Sequence, residues 1–204
     1  SNSDKFWYDD PNILFSVNQI GLVKANDEFF EWLRGDKTMP FGENNQHIPI
    51  KLIDFDNLSN NSYIITNQFK IQNSELKIPD IVMMVNGIPV VVGEAKTPIR
   101  PAISWLDGAH EIHDIYENSS PQLFVPNILS FSTEGKELFY GAVRNPLQYW
   151  SPWRLKDNDT DLEKKLGLGE IKDELIDLLS PERLLDILKN FSLFTTNKKK
   201  QRSK

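Results

Sequence analysis

The sequence predicts an α/β fold, a mixed sheet flanked by helices, with a helical extension towards the C-terminus. Three observations carry that prediction. The stretch PDIVMMVNGIPVVVGEAK, residues 79–96, holds two Val/Ile-rich runs around Asn86-Gly87, the strongest short hairpin signal. Both faces of both runs are apolar, which places the hairpin inside a sheet covered on both sides. Helical spacings follow in RPAISWLDGAHEIHDIYENSS, EIKDELIDLL and SPERLLDILKNFSLF, and helices laid over such a sheet make the α/β class.

The elements follow in order. SNSDKFWYDD lacks a basic run followed by an apolar one, so it does not read as a signal peptide. NDEFFEWLRG reads as a short helix with Asn26 as cap, Gly35 as terminator and Phe29, Phe30 and Leu33 as its apolar face. A loop runs to about Pro49. IPIKLIDFD then alternates as a strand, LSNNS turns, and YIITNQFKI alternates again, which predicts a hairpin. After the central hairpin, Ile103, Leu106, Ile112, Ile115 and Tyr116 have helical spacing, with Gly108 weakening or splitting the helix. LFVPNILSFSTEGKELFYGAV reads as strand, turn at Glu134-Gly135, and strand. RLKDNDTDLEKKLGLGE is polar and linker-like. Ser180 then caps a helix with Pro181 in its first turn and a stripe of Leu184, Leu185, Leu188 and Phe191. The division expected is 1–153 for the main domain and 154–204 for a linker and helical segment.

Composition narrows the function. The chain has 204 residues, 39% hydrophobic and 25% charged, a globular balance. No run approaches the roughly 18 apolar residues of a membrane span. Cysteine is absent, which removes disulfides, thiolate zinc sites and a cysteine nucleophile, and fits a cytoplasmic location. The net charge of −6 gives no global electrostatic case for nucleic acid, so any such case must be local. The basic NKKKQRSK end reads as a solvated tail. In AHEIHD, His110 and His113 share a helix face but lack the H-E-x-x-H zinc spacing. YWSPWR reads as packing aromatics, and the serine of SWLDGAH has no triad around it.

The informative residues are the charges of the apolar hairpin: Asp80, Glu94 and Lys96. Glu94 and Lys96 are two apart and share a face. With a two-residue turn Val85 pairs with Ile88, and regular pairing then sets Asp80 opposite Gly93, with Glu94 on the other face. A three-residue connection bulged at Gly87 pairs Val85 with Pro89 and sets Asp80 opposite Glu94. Two carboxylates that close repel unless a cation lies between them, so the expectation is the bulged register or an equivalent kink. Such a pair suits Mg²⁺, with the Ala95 carbonyl as a further ligand. The metal would acidify a water and polarise a phosphoryl oxygen, while Lys96 orients or deprotonates the water. Arg100, just beyond, is a candidate phosphate contact.

IPDIVMMVNGIPVVVGEAKTP resembles the nuclease motif of type I restriction enzyme R subunits, which combine a motor with a nuclease. The VNG turn followed by Pro89 is more specific than D…ExK alone. The resemblance runs from about Asn26 to Phe194, with SPERLLDILKNFSLF similar to the segment joining nuclease to motor. It implies a PD-(D/E)xK restriction-endonuclease-like fold, with Asp80, Glu94 and Lys96 as catalytic trio and Mg²⁺ on the two carboxylates. It also implies an upstream acidic residue, for which Glu28 and Glu31 are candidates. The family's Q-x-x-x-Y helix motif matches at Tyr116, a candidate DNA contact, but places Ile112 at the glutamine position; Glu111 and His113 are the candidate substitutes. No G-x-x-x-x-G-K-[ST] loop occurs in the chain, so ATP belongs to a motor that this chain lacks. The implied partners are double-stranded DNA and the modification and specificity subunits, with no membrane. The alternative is an inactive nuclease-like module for DNA binding or subunit docking, to which Ile112 and the acidic net charge lend weight.

Overall fold

A computed structural model describes residues 20–41, 44–73, 75–97, 99, 102–155, 170–196 and 202–204. Its strands are β1 (Thr38–Phe41), β2 (Gln46–Pro49), β3 (Tyr63–Asn67), β4 (Ile71–Gln72), β5 (Leu76–Lys77), β6 (Ile81–Val85), β7 (Ile88–Ala95), β8 (Leu129–Thr133), β9 (Leu138–Gly141), β10 (Ser151–Pro152), β11 (Thr195–Thr196) and β12 (Arg202–Ser203). Six form one sheet in the order β10-β9-β8-β7-β6-β3. It is mixed, as expected: β7 and β8 run parallel and the other neighbours antiparallel. The remaining strands pair as the ribbons β1–β2, β4–β5 and β11–β12.

The hairpin lies inside this sheet, and of the two forms expected it takes the kink beside the turn, not the bulge at Gly87. Asn86 and Gly87 both take positive φ, 53° and 79°, which is the two-residue turn that Asn-Gly favours. Val85 therefore pairs with Ile88, not with Pro89. The bulge falls further on: Met84 pairs with Pro89 but Met83 with Val91, so Val90 is the extra residue. The physical reason is next door. Pro89 has no N–H for the ladder, and a proline inside a sheet is tolerated at a bulge. Val90 turns its carbonyl to Ile128 N instead, at 2.7 Å. From Met83 onward the pairing is the one that sets Asp80 against Glu94.

Both faces are covered. On the first, Val82, Met84 and Val92 pack with Ala109, Ile112 and Tyr116 of the 105–119 helix. On the second, Met83, Val85, Val90 and Val91 pack with Phe131 and Leu138, with Phe30 and Leu33 of the Leu22–Leu33 helix, and with the leucines of the 170–191 helices. That Val90 and Val91, neighbours in sequence, share one core is the packing signature of the bulge.

Ser104 and Asp107 form a capping box that starts the 105–119 helix. Gly108 does not split it. A Cβ at 108 would meet Ser132 Oγ and, at 2.9 Å, Glu94 Cβ, so the glycine lets the helix lie close on β7 and β8. Leu106 and Ile115 face outward instead of joining the core. The helix Pro181–Asp186 begins at Ser180, whose hydroxyl accepts from Arg183 N at 3.3 Å.

Other expectations are corrected. The first described helix starts at Leu22, so Asn26 is internal and not a cap. It is buried, and its amide donates to the carbonyls of Phe124, Val125 and Asn127, tying the helix to the loop before β8. Gly35 does follow that helix's end: its N–H reaches Trp32 O and Asp36 N reaches Glu31 O. IPIKLIDFD does not form a strand hairpinned to YIITNQFKI. Only its first residues are extended, in β2, which pairs with β1, while β3 pairs with β6. Asp54 Oδ1 accepts from Asp56 N and Asn57 N, each at 3.0 Å, an Asx turn that competes with the strand. Phe191, expected in an apolar stripe, is 69% exposed because the helix ends in a π-helical stretch, Ile187–Phe191. Residues 156–169 of the polar linker, residues 1–19 and Arg100 lie outside the described residues.

Candidate active site

Asp80 enters β6 and Glu94 and Lys96 leave β7, so the site sits where two central strands end. The Asp80 N–H donates to Glu94 Oε1 at 3.2 Å, and the Ala95 N–H donates to Asp80 Oδ2 at 3.1 Å. These two bonds place the carboxylates side by side, as the expected register requires. The Lys96 ammonium donates to Glu94 Oε2 at 3.1 Å and to Glu111 Oε2 at 2.6 Å. Its backbone N–H bonds Thr133 O at 2.7 Å, which ties the strand end to β8.

The electrostatics follow from burial. Glu94 is 1% exposed. Burial pushes its carboxyl up to about 7, the Asp80 charge adds to this, and Lys96 opposes it. Burial pulls the Lys96 ammonium down, but its hydrogen bonds to Glu111 and Glu94 outweigh that and the net direction is up. The Tyr116 phenol is also pushed up, first by burial and then by the Glu94 charge and a hydrogen bond to Glu94. A carboxyl held this high beside a second carboxylate is a place where a cation would relieve both the burial and the repulsion.

Two contributors were weak or invisible in the sequence. Gln68 has φ of 53°, and its N–H bonds Asp80 O at 2.9 Å while its side chain donates to Asp80 Oδ1 at 2.8 Å. Its position follows only from the β3–β6 pairing, for which no sequence signal existed. Glu111 reaches the site from a π-helical stretch, Glu111–Tyr116. Ile112 faces the core and is fully buried.

Tyr116 is buried beside Glu94, within the site rather than on an outer surface. Glu31 pairs with Lys37 at 3.0 Å, and among the described residues no hydrogen bond links Glu28 or Glu31 to the trio. His110 and His113 both bond Asp114, at 2.6 and 2.7 Å. Among the described residues no group of three or more His, Asp or Glu side chains is arranged to hold a metal ion. Trp153 packs edge-on against Tyr140 and donates to Asp177, so YWSPWR is packing in this part.

Sheet and site together define a mixed α/β domain that presents two carboxylates and a lysine at the ends of adjacent central strands. The chain belongs to the family described as type I restriction enzyme R protein N terminus, whose profile matches residues 9–149. It is 29% identical over 177 residues to the type I restriction enzyme HindI endonuclease subunit of Haemophilus influenzae, covering 85% of this chain and 17% of that protein. Two putative endonuclease subunits of Methanocaldococcus jannaschii are also similar. MjaVIIIP is 28% identical over 205 residues, covering 97% of this chain and 19% of that protein. MjaVIIP is 32% identical over 154 residues, covering 71% and 13%. The chain thus spans less than a fifth of the length of these relatives.

Proposed function

We propose that this chain is the Mg²⁺-dependent DNA endonuclease domain of a type I restriction R subunit, with a PD-(D/E)xK site that hydrolyses phosphodiester bonds after ATP-driven translocation by the intact enzyme. The observation that carries this reading is the convergence of Asp80, Glu94 and Lys96 through the bulge at Val90. The family and the relatives named as endonuclease subunits support it.

The donor chemistry fits Mg²⁺: hard carboxylate oxygens from Asp80 and Glu94, with the Ala95 carbonyl, whose own N–H bonds Asp80 Oδ2, as the candidate further ligand. When bound, the ion supplies Lewis-acid stabilisation of a phosphoryl oxygen and a more acidic water. The chain's own residues do the rest. Gln68 and the Ala95 N–H fix the Asp80 carboxylate from two directions. Lys96 offers an ammonium to orient a water or to offset charge on a phosphate oxygen. Tyr116 supports Glu94 from the helix side, and Arg100 is placed by sequence to meet a neighbouring phosphate. The modification and specificity subunits choose the DNA site, and ATP acts in a motor region outside this chain.

The test is DNA cutting by the assembled enzyme carrying Asp80→Ala or Lys96→Ala in the full-length subunit. Cutting should stop while ATP-driven translocation continues. Normal cutting by both variants overturns the assignment.

A further inference from the structure

The helix over the site carries an irregularity that bears directly on Lys96. An α-helix repeats every 3.6 residues, so side chains four apart stack on one face. On that count the residue one turn before Tyr116 is Ile112. The Glu111–Tyr116 stretch is π-helical instead, with bonds spanning five residues, a form that appears as single insertions often found at functional sites. The extra residue turns Ile112 wholly into the apolar core and leaves Glu111 and Tyr116 facing the site together.

Glu111 then makes the shorter of the two bonds to the Lys96 ammonium, 2.6 Å against 3.1 Å for Glu94. A lysine side chain is long and loses much of its rotamer freedom when fixed. Glu94 is a poor sole anchor, because its carboxylate is also wanted by any cation that joins it to Asp80. Glu111 is free of that competition: its carboxylate accepts from Lys96 and, among the described residues, is not shared with Asp80 or Glu94, and its side chain is 39% exposed. The Glu94 and Glu111 carboxylates take two of the three N–H donors of the ammonium and leave the third for another acceptor.

We propose that Glu111 is a positioning residue, brought by the π-helical turn to hold the Lys96 ammonium beside the Asp80–Glu94 pair. This rests on the nuclease reading above, and its role is to keep Lys96 in place when Glu94 turns to a cation. A regular 3.6-residue count would set Ile112 on that face instead.

Two measurements test it. In the assembled enzyme, Glu111→Ala slows DNA cutting about 10- to 100-fold. Glu111→Gln, whose amide oxygen still accepts from the ammonium, cuts within a few-fold of the parent. In this chain alone, the Lys96 ammonium gives a slowly exchanging NMR signal, assigned by its loss in Lys96→Arg. That signal persists in Glu111→Gln and disappears in Glu111→Ala. Unchanged cutting by Glu111→Ala, with Asp80→Ala inactive, overturns the inference and leaves the nuclease reading standing. So does an unchanged Lys96 signal in Glu111→Ala. Normal cutting by Asp80→Ala overturns both. Since Glu111 is partly exposed and Gln is isosteric with it, a folding defect in Glu111→Ala alone leaves the Gln variant to decide: cutting slowed as far as in Glu111→Ala overturns the inference.

Discussion

The two faces of the β6–β7 hairpin are lined by alternate residues of one stretch of chain, yet they are built to opposite ends. The second face is a dry core: Met83, Val85, Val90 and Val91 meet Phe131 and the leucines of the 170–191 helices. The first face mixes Val82, Met84 and Val92 with buried Glu94, Ser132 and Glu117. Glu117, like Glu94, is held high by burial, at about 8, even though it accepts from Arg144 N. The difference assigns separate tasks. The second face stabilises the fold, and the first gives up some stability to keep ionisable groups out of water where they can act.

Phe131→Ala should break the second face, since its ring is fully buried there. Truncating a buried phenylalanine costs about 3–5 kcal/mol, measured by urea unfolding; a loss no larger than that of a surface change would end the contrast between faces. Ile112→Gln probes the first face. If the helix had regular spacing, the amide would reach the site. With the π-helical turn it is instead buried without a partner, which costs about 1–3 kcal/mol and adds nothing to cutting by Glu111→Ala. A stable Ile112→Gln that restores cutting would show that the turn is misplaced.

The pH dependence separates the faces more finely. Glu94 and Glu117 have folded-state values of about 7 and about 8 against 4.5 for an ordinary glutamate. The folded chain therefore holds these protons more tightly than the unfolded one. Their contribution to stability is fully present below about pH 4.5 and is lost as pH rises through about 7 to 8. Thermal melts should show a decline across that window, and Glu117→Gln should flatten its upper part. An unaltered slope in that variant would remove Glu117 from the account. The smallest effect belongs outside both faces: Phe191→Ser should change stability by no more than about 0.5 kcal/mol, because the ring is exposed.

What could be read in advance was local. The Asn86-Gly87 turn, the Ser180 cap and the turn at Gly135 each depend on a few adjacent residues. So did the convergence of Asp80, Glu94 and Lys96, which needed only one odd residue somewhere in the hairpin. Of the two forms expected, a bulge at Gly87 or an equivalent kink, the chain takes the kink, and Pro89, unable to donate to a ladder, marks its place. The β3–β6 pairing, and with it Gln68, depends on which distant strand wins an edge, and alternation alone cannot decide that. The π-helical turn is invisible to a 3.6-residue count because it breaks the count. Glu111 was therefore only a substitute for a position assigned to Ile112.

The bulge at Val90 has one more consequence, for how this strand tolerates change in length. Because β7 carries one residue more than its partner between the turn and Glu94, it holds a spare. Losing a single residue between Ile88 and Gly93 would use up that spare, and Glu94 would still face Asp80 across a regular ladder. Gaining one leaves no such relief, and the carboxylate would rotate to the opposite side of the sheet. Length variation here is a one-way valve: the strand can shorten by one and keep its chemistry, but it cannot lengthen by one.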